Sequence, residues 1–179
     1  MLFADGENLL LRYEAMLAKG AESKPQTTHS RGRFVWSNYI TKIDNLQFTR
    51  VAYYTTLVGD DDALQKLRID LGKVEWNSKL TNPPYGGHIH SRVFKKPSQS
   101  QKTASVDINI TIDVLRHCYN KDVEAVYILA GDGDYIPLIE EAMRTGTRVF
   151  IGALSEGRND RLRVAADEFI DLDGLFFIK

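Results

Sequence analysis

The sequence predicts an α/β protein, with a mostly parallel central sheet covered by helices on both faces. Short β-branched or aromatic runs, "FTRVAYYTTLV", "AVYILA" and "RVFIGA", alternate with stretches of helical period such as "ENLLLRYEAMLAKG" and "YIPLIEEAMRTG". That alternation is the mark of parallel strands joined by crossover helices. The chain has 179 residues, of which 43% are apolar, enough for one real core. No internal repeat and no linker-like stretch interrupts it, so a single domain over residues 1–179 is expected.

Residues 1–4 read as a short buried strand ended by Asp5 and Gly6. In residues 7–20, Leu9, Leu10, Tyr13 and Leu17 recur at helical spacing, and Gly20 stops the helix. A polar loop follows to residue 33, and residues 34–43, "FVWSNYITKI", are expected as a second helix. Residues 48–58 lack a helical period and read as a strand. Residues 59–73 form a helix with Asp60, Asp61 or Asp62 as its cap and Gly72 at its close. "KVEW" begins another short strand. Residues 77–103 are expected as loop or irregular hairpin, broken by Pro83, Pro84, Gly86 and Gly87. Residues 105–120 read as a helix, with Ser105 as N-cap and Ile108, Ile112 and Leu115 on its apolar face. Cys118, mid-helix among apolar residues, reads as core. Residues 125–130 are a buried strand. Residues 135–146 follow as a helix with Pro137 tolerated in its first turn. A strand at 148–153, a short helix at 159–168 and a last strand at 169–172 complete the pattern.

Bulk properties narrow the setting. Cys118 is the single cysteine, so no internal disulfide forms, which fits a reducing compartment. The first eight residues hold two acids and no basic n-region, so no signal peptide is expected. No apolar run approaches bilayer length, so no membrane partner is expected. The expected location is cytoplasmic. The net charge is −1, but it is segregated. Residues 77–105 contain no acid, yet carry Lys79, Arg92, Lys95, Lys96 and Lys102, with His88 and His90. Residues 23–43 also lack acid and carry Lys24, Arg31, Arg33 and Lys42. Segregated charge of this kind offers a cationic surface to phosphates, or is simply solvated loop.

The acids supply the chemistry. In an open parallel sheet, ligands sit at the carboxyl ends of strands where the strand order reverses. Asp5 ends the first strand, and Asp132 and Asp134 follow "AVYILA". If those strands are neighbours, the carboxylates meet at one edge. Asn8, one helical turn past Asp5, would face the same cleft, and Asp107 falls in the first turn of its helix, where an acid is favoured. Crowded carboxylates repel unless protonated or neutralised. A hard divalent cation, Mg²⁺ or Mn²⁺, takes oxygen ligands and suits phosphoryl chemistry. Each acid has a second reading: Asp5 and Asp134 are also good helix caps, and Gly131 and Gly133 suit a strand-to-helix turn. Asp113 lies six residues after Asp107, about 120° around a helix, so it is expected to support the site by orienting Lys102 or Asn109 rather than share a metal. His88 and His90 would share a face of a strand, but no third metal ligand has suitable spacing, and phosphate contact or plain loop is expected.

These residues resemble a known family. "FADGEN" resembles the D-x-x-N opening of the NYN domain family, PIN-like nucleases that include the LabA-like proteins. "VDINITIDVL" resembles its V-D-x5-D helix, and "YILAGDGDYIPLIEEAMRTGTRVFI" its S-x-D-x-D-[FY]-x-P-L segment with the helix, glycine and strand that follow. "ADEFIDL" resembles the closing strand. The resemblance implies a PIN-like three-layer α/β/α sandwich and a Mg²⁺- or Mn²⁺-dependent nuclease, usually acting on RNA. It places the acidic site on Asp5, Asn8, Asp107, Asp132 and Asp134, with Asp113 at a further family position. This chain has Ala130 where the family carries Ser or Thr. Its Lys102 lies five residues before Asp107, where the family has K-x-x-D.

The expectation is therefore a metal-dependent endoribonuclease. Asp5, Asp107 and Asp132 would hold the metal, with Asp134 completing the cage or acting through a water. Asn8 would orient a ligand or contact the scissile phosphate. Arg31, Arg33, Lys95, Lys96 and Lys102 would steer single-stranded or structured RNA, and Tyr85 would stack on an unpaired base. The alternative is a non-catalytic RNA- or protein-binding module, and a homodimer stays open. A phosphatase or toprim-like enzyme fits less well. Asp5 is followed two residues on by Glu7, not Asp, and a toprim site would want Glu on the early strand.

Overall fold

The computed structural model describes residues 1–44, 46–79, 85–98 and 105–178. The strands are β1 (Leu2–Asp5), β2 (Thr27–Ser30), β3 (Phe34–Ser37), β4 (Val51–Leu57), β5 (Glu75–Asn77), β6 (Gly86–His88), β7 (His90–Lys95), β8 (Ala125–Leu129), β9 (Arg148–Ala153) and β10 (Glu168–Asp171). The helices are α1 (Gly6–Ala18), α2 (Asp61–Gly72), α3 (Ser105–Asn120), α4 (Ile136–Arg144), α5 (Leu162–Ala165) and α6 (Asp173–Phe176). A six-stranded sheet runs β10-β9-β8-β1-β4-β7, and every pair in it is parallel. The chain lays β4 and β7 on one side of β1, then crosses through α3 to build β8, β9 and β10 on the other. The order therefore reverses between β1 and β8, which are hydrogen-bonded neighbours.

Alternation along β1 sorts the core into two layers. Leu2 and Ala4 face the layer that also holds Leu9 and Tyr13 of α1, Leu64, Leu67 and Leu71 of α2, and Trp36. Phe3 faces the opposite layer, with Val106, Ile110 and Val114 of α3 and Ile139 and Ala142 of α4. Helices on both faces of a parallel sheet make the α/β/α sandwich that the sequence implies. No helix among the described residues is long and apolar enough to cross a membrane.

Several elements depart from expectation, among them β2 within the expected polar loop and α6 after the last strand. Residues 34–43 do not form a helix: Phe34–Ser37 is β3, paired antiparallel with β2 and buried at all four positions. The Val35 amide donates to the Tyr53 hydroxyl at 3.3 Å, and β3 is clamped between that ring and α1. Aromatic and β-branched residues fit such a strand, and no side-chain period distinguishes it locally from a short helix.

The stretch expected as loop contains β7, the sixth strand of the sheet, running parallel to β4 from Ala52↔His90 to Leu57↔Lys95. As an edge strand it alternates: Val93 is buried towards α2 while its neighbours are half-buried or exposed, which reads as polar loop in sequence. His88 and His90 fall on different strands of different sheets, so they do not share one face. His88 ends β6 and His90 begins β7, two residues before the row that holds Asp5.

Finally, α3 buries Val106, Ile110, Asp113, Val114 and Cys118, whereas Ile108 and Ile112 are 54% and 48% exposed. The helix has two apolar stripes, and the sheet covers the one the spacing of isoleucines did not select.

The β1–α1 junction is tightly packed. A Cβ on Gly6 would lie 2.0 Å from Cε1 of Tyr53, whose ring is fully buried and whose hydroxyl is 3.3 Å from the carbonyls of Gly6 and Val35. Neither partner has room to yield. Gly6→Ala is expected to destabilise the fold by about 1–3 kcal/mol, the usual range for overpacking a core. Urea unfolding of the two proteins measures it, and an unchanged midpoint would contradict the packing described.

Candidate functional site

The carboxyl ends of β1 and β8 open on the crevice where strand order reverses. Asp5, the last residue of β1, is 4% exposed and caps α1: its Oδ1 accepts the Asn8 amide at 2.9 Å. Its Oδ2 lies 3.1 Å from the Tyr135 hydroxyl, and that hydroxyl is 2.9 Å from Oδ1 of Asp107 in the first turn of α3. One phenol thus stands between two carboxyl groups. It has a single proton to give, so one of those carboxyls must retain its own proton or be neutralised.

Electrostatics agree with that count. Burial first, with Asp107 and Glu7 adding to it, pushes the Asp5 carboxyl from its ordinary 3.8 up to about 7. The Asp107 carboxyl is raised by loss of solvent and then by the charges of Asp132, Asp134 and Glu7. The Tyr135 hydroxyl is held protonated by its burial and by both acids. Asp5, Asp107, Asp132, Asp134 and Glu7 therefore share one field.

The loop after β8 is built by short bonds. Oδ1 of Asp132 accepts the amide of Asp134 at 3.1 Å, capping a single 3-10 turn at Gly133–Tyr135 that leads into α4. Asp132 and Asp134 are both exposed. The Asn8 side chain turns across to this loop: its Oδ1 accepts the Gly131 amide at 3.0 Å. Asn8 thus braces the two carboxylate-bearing segments together. Ala130, where the family has a hydroxyl, is buried and donates its amide to Gly152 at 3.1 Å.

The other expected residues are spread more widely. Asp113 is 6% exposed and, among the described residues, hydrogen-bonds neither Asn109 nor the acidic centre. Its Oδ2 accepts the Tyr54 hydroxyl at 2.8 Å and lies 3.1 Å from Arg92, and its Oδ1 lies 3.2 Å from Arg116. Asn109 instead donates to the Ser105 carbonyl. Lys96 is 11% exposed at its side chain and pairs with Glu7, whose other oxygen accepts the Thr56 hydroxyl at 2.7 Å. It is a countercharge at the crevice rather than an open contact for RNA. Lys95 reaches Asp61 at 3.3 Å and Arg33 reaches Asp70 at 3.4 Å.

Arg31 lies in the β2–β3 turn, which is pinned by the Gly32 amide donating to Glu14 at 2.7 Å. Glu14 is eight residues into α1, about 12 Å along the helix from the crevice. Tyr85 stands edge-on to Trp76 of β5. Lys102 lies outside the described residues.

Sequence reasoning missed Tyr135, Glu7 and Asn159. Tyr135 was legible as the aromatic directly after "DGD". Glu7 sits between two residues already singled out. Asn159 had no local signal: its amide donates to Gly131 at 2.9 Å, and its side-chain amide fills the space a Cβ on Gly133 would need.

The donor set consists of carboxylate oxygens in mutual repulsion, with no sulfur, and this fits a hard divalent cation by type and charge. Among the described residues, however, no three His, Cys, Asp or Glu side chains stand close enough together to hold one ion. Tyr135 occupies the space between Asp5 and Asp107.

Fold and crevice together define a PIN-like α/β/α domain with an acidic centre at its switch point. A family model described as the NYN domain matches residues 1–173, and the chain belongs to that nuclease-related family. The fold is similar to that of a crystal structure of a protein of unknown function from Vibrio parahaemolyticus, with a TM-score of 0.63 at 17% identity. That likeness covers 99% of this chain and 94% of the other. No curated protein matches in sequence.

The unmet charge at Asp5 has a measurable consequence in metal-free protein. A carboxyl whose folded pKa is about 7 holds a proton that the unfolded chain has released above 3.8, so stability falls as pH rises through that window. Asn at this position would keep the Asn8 contact, donate to Tyr135 and leave the phenol proton for Asp107. In chelator at pH 8, Asp5→Asn is expected to be more stable than wild type by on the order of 2–4 kcal/mol. The gain should shrink as pH falls below 7 towards 4. Chemical denaturation at both pH values checks it, and a gain independent of pH would contradict it.

Proposed function

We propose that this protein, acting as one domain over residues 1–179, is a metal-dependent endoribonuclease that hydrolyses RNA phosphodiester bonds at the β1/β8 crevice. The observation that carries the reading is the Tyr135 hydroxyl shared by Asp5 and Asp107, with Asp132, Asp134 and Glu7 in the same field. Such a centre repels a phosphate until positive charge enters it, which is what a phosphoryl-transfer site built for a divalent cation requires.

Asp5, Asp107 and Asp132 would hold Mg²⁺ or Mn²⁺. The ion, when bound, supplies charge to the phosphate oxygens and lowers the pKa of a coordinated water. The chain's own residues do the rest. Tyr135 keeps its proton, donates its one hydrogen bond to one carboxyl and lies against both side chains. Asn8 keeps the loop carrying Asp132 against the start of α1. Asp134 would complete the cage or act through a water, and Lys96 offsets Glu7 at the crevice wall. A cytoplasmic setting and an RNA partner belong to the same proposal.

A second reading, a non-catalytic RNA- or protein-binding NYN module, is favoured by one feature: among the described residues, no three acids are already gathered for an ion. The two readings separate on one assay. Labelled single-stranded and hairpin RNA are incubated with the protein in Mn²⁺ or Mg²⁺. The nuclease reading expects internal cleavage abolished by chelator. Loss of supporting groups around a metal typically costs about 10–100-fold, so Asp132→Asn, which alters a ligand itself, should cost at least that much. Turnover unchanged in Asp132→Asn would eliminate the mechanism, and metal-independent binding without cleavage would favour the second reading.

A further inference from the structure

We propose that Arg92 and Arg116, held side by side by the buried carboxylate of Asp113, form a clamp for a backbone phosphate of the RNA whose neighbouring segment lies at the acidic centre. The inference rests on the ribonuclease reading for its ligand and on separate residues for its geometry.

The placement follows from strand register. Asp5 pairs with Tyr54, and Tyr54 pairs with Arg92, so the three lie in one row across β1, β4 and β7. Register partners point to the same face of a sheet. Here that is the face covered by α3, since Tyr54 belongs to its core layer. Two strand spacings put Arg92 about 10 Å from Asp5. Lys96, four residues after Arg92 and on the same side of the edge, reaches Glu7 at the crevice. Lys96 is engaged by Glu7, so Arg92 is the exposed cation of β7 on this face, beside the negative centre.

The clamp is built rather than incidental. Asp113 is a buried acid, and it spends its oxygens on Tyr54, Arg92 and Arg116. The Arg92 guanidinium also lies over the Tyr54 ring, 5.9 Å from its centre. Each arginine gives Asp113 one nitrogen, at 3.1 and 3.2 Å. A guanidinium carries five N–H donors in a planar fork. Among the described residues the remaining donors have no protein acceptor, and the side chains are 52% and 61% exposed. One carboxylate between two guanidinium groups leaves a net positive charge, with forks held in place and open to solvent. Phosphate is the anion such forks match in pairs.

The test is RNA binding in chelator, where cleavage is off. A fluorescein-labelled single-stranded oligouridylate is titrated with the full chain between 50 and 300 mM KCl as about a six-fold range over which salt dependence is read. Arg92→Gln and Arg116→Gln are each expected to weaken binding several-fold and to flatten the slope of log affinity against log salt by about 0.7. Arg92→Lys should restore the slope but not the full affinity, because charge returns without the fork. Lys66→Gln, on the exposed side of α2, should match wild type, and thermal melting confirms that each variant is folded.

Wild-type affinity and slope in the Arg92→Gln/Arg116→Gln protein would overturn the clamp, as would no binding by wild type in chelator. The ribonuclease reading fails separately. If wild type binds through these arginines but never cuts in Mn²⁺, the clamp stands and the nuclease falls. If wild type cuts and the double variant binds and cuts equally well, the reverse holds.

Discussion

The site depends on a carboxylate that is almost wholly buried. Asp5 ends a strand that is buried on both faces, and the turn into α1 puts its side chain between the sheet and α3. Few donors are available there: the Asn8 amide serves one oxygen and the Tyr135 hydroxyl the other. Because Tyr135 also faces Asp107, the proton count is one short, and this shortage joins β1, α1, α3 and the β8–α4 turn into one electrostatic unit. A buried acid without enough donors is costly unless a proton or a cation completes it. The crevice is therefore a place of stored electrostatic tension.

Two adjacent tyrosines show how the sheet distributes work between its faces. Tyr53 and Tyr54 are neighbours on β4 and point in opposite directions. Tyr53 packs on Gly6 and bonds β3, fixing the start of α1 and with it the position of Asp5. Tyr54 donates to Asp113 and carries Arg92 over its ring. Asp113 differs from Asp5 in that its charge is met in full by a hydroxyl and two guanidinium groups. Two buried acids of similar exposure thus have opposite electrostatic situations. The difference lies in which side chains the neighbouring strands present.

Much of the scaffold could be read from local pattern. The strands at β1, β4, β8 and β9 and the helices α1, α2, α3 and α4 follow from apolar runs, period and caps, and the Asp60 cap is seen in the bond from Ala63 to its side chain. The pattern failed where tertiary partners decide. β3 is a strand because Tyr53 and α1 enclose it. β7 belongs to the sheet because β4 offers it an edge, not because its own sequence is strongly strand-like. In α3, Ile108 and Ile112 have the right spacing for a core face, but the buried stripe includes Asp113, whose partners lie on other strands.

What the sequence determined alone was the α/β class, the order of acids along the chain and their positions at the ends of strands. These depend on residues close in sequence: apolar runs, glycine stops, caps and a motif of fixed spacing. What only the tertiary structure decided was which charges meet. Lys96 with Glu7, Arg92 with Asp113, and Tyr135 with both Asp5 and Asp107 are pairings across tens of residues. Charge acts through distance in space, and strand register sets that distance, so no local pattern of these residues could have given it.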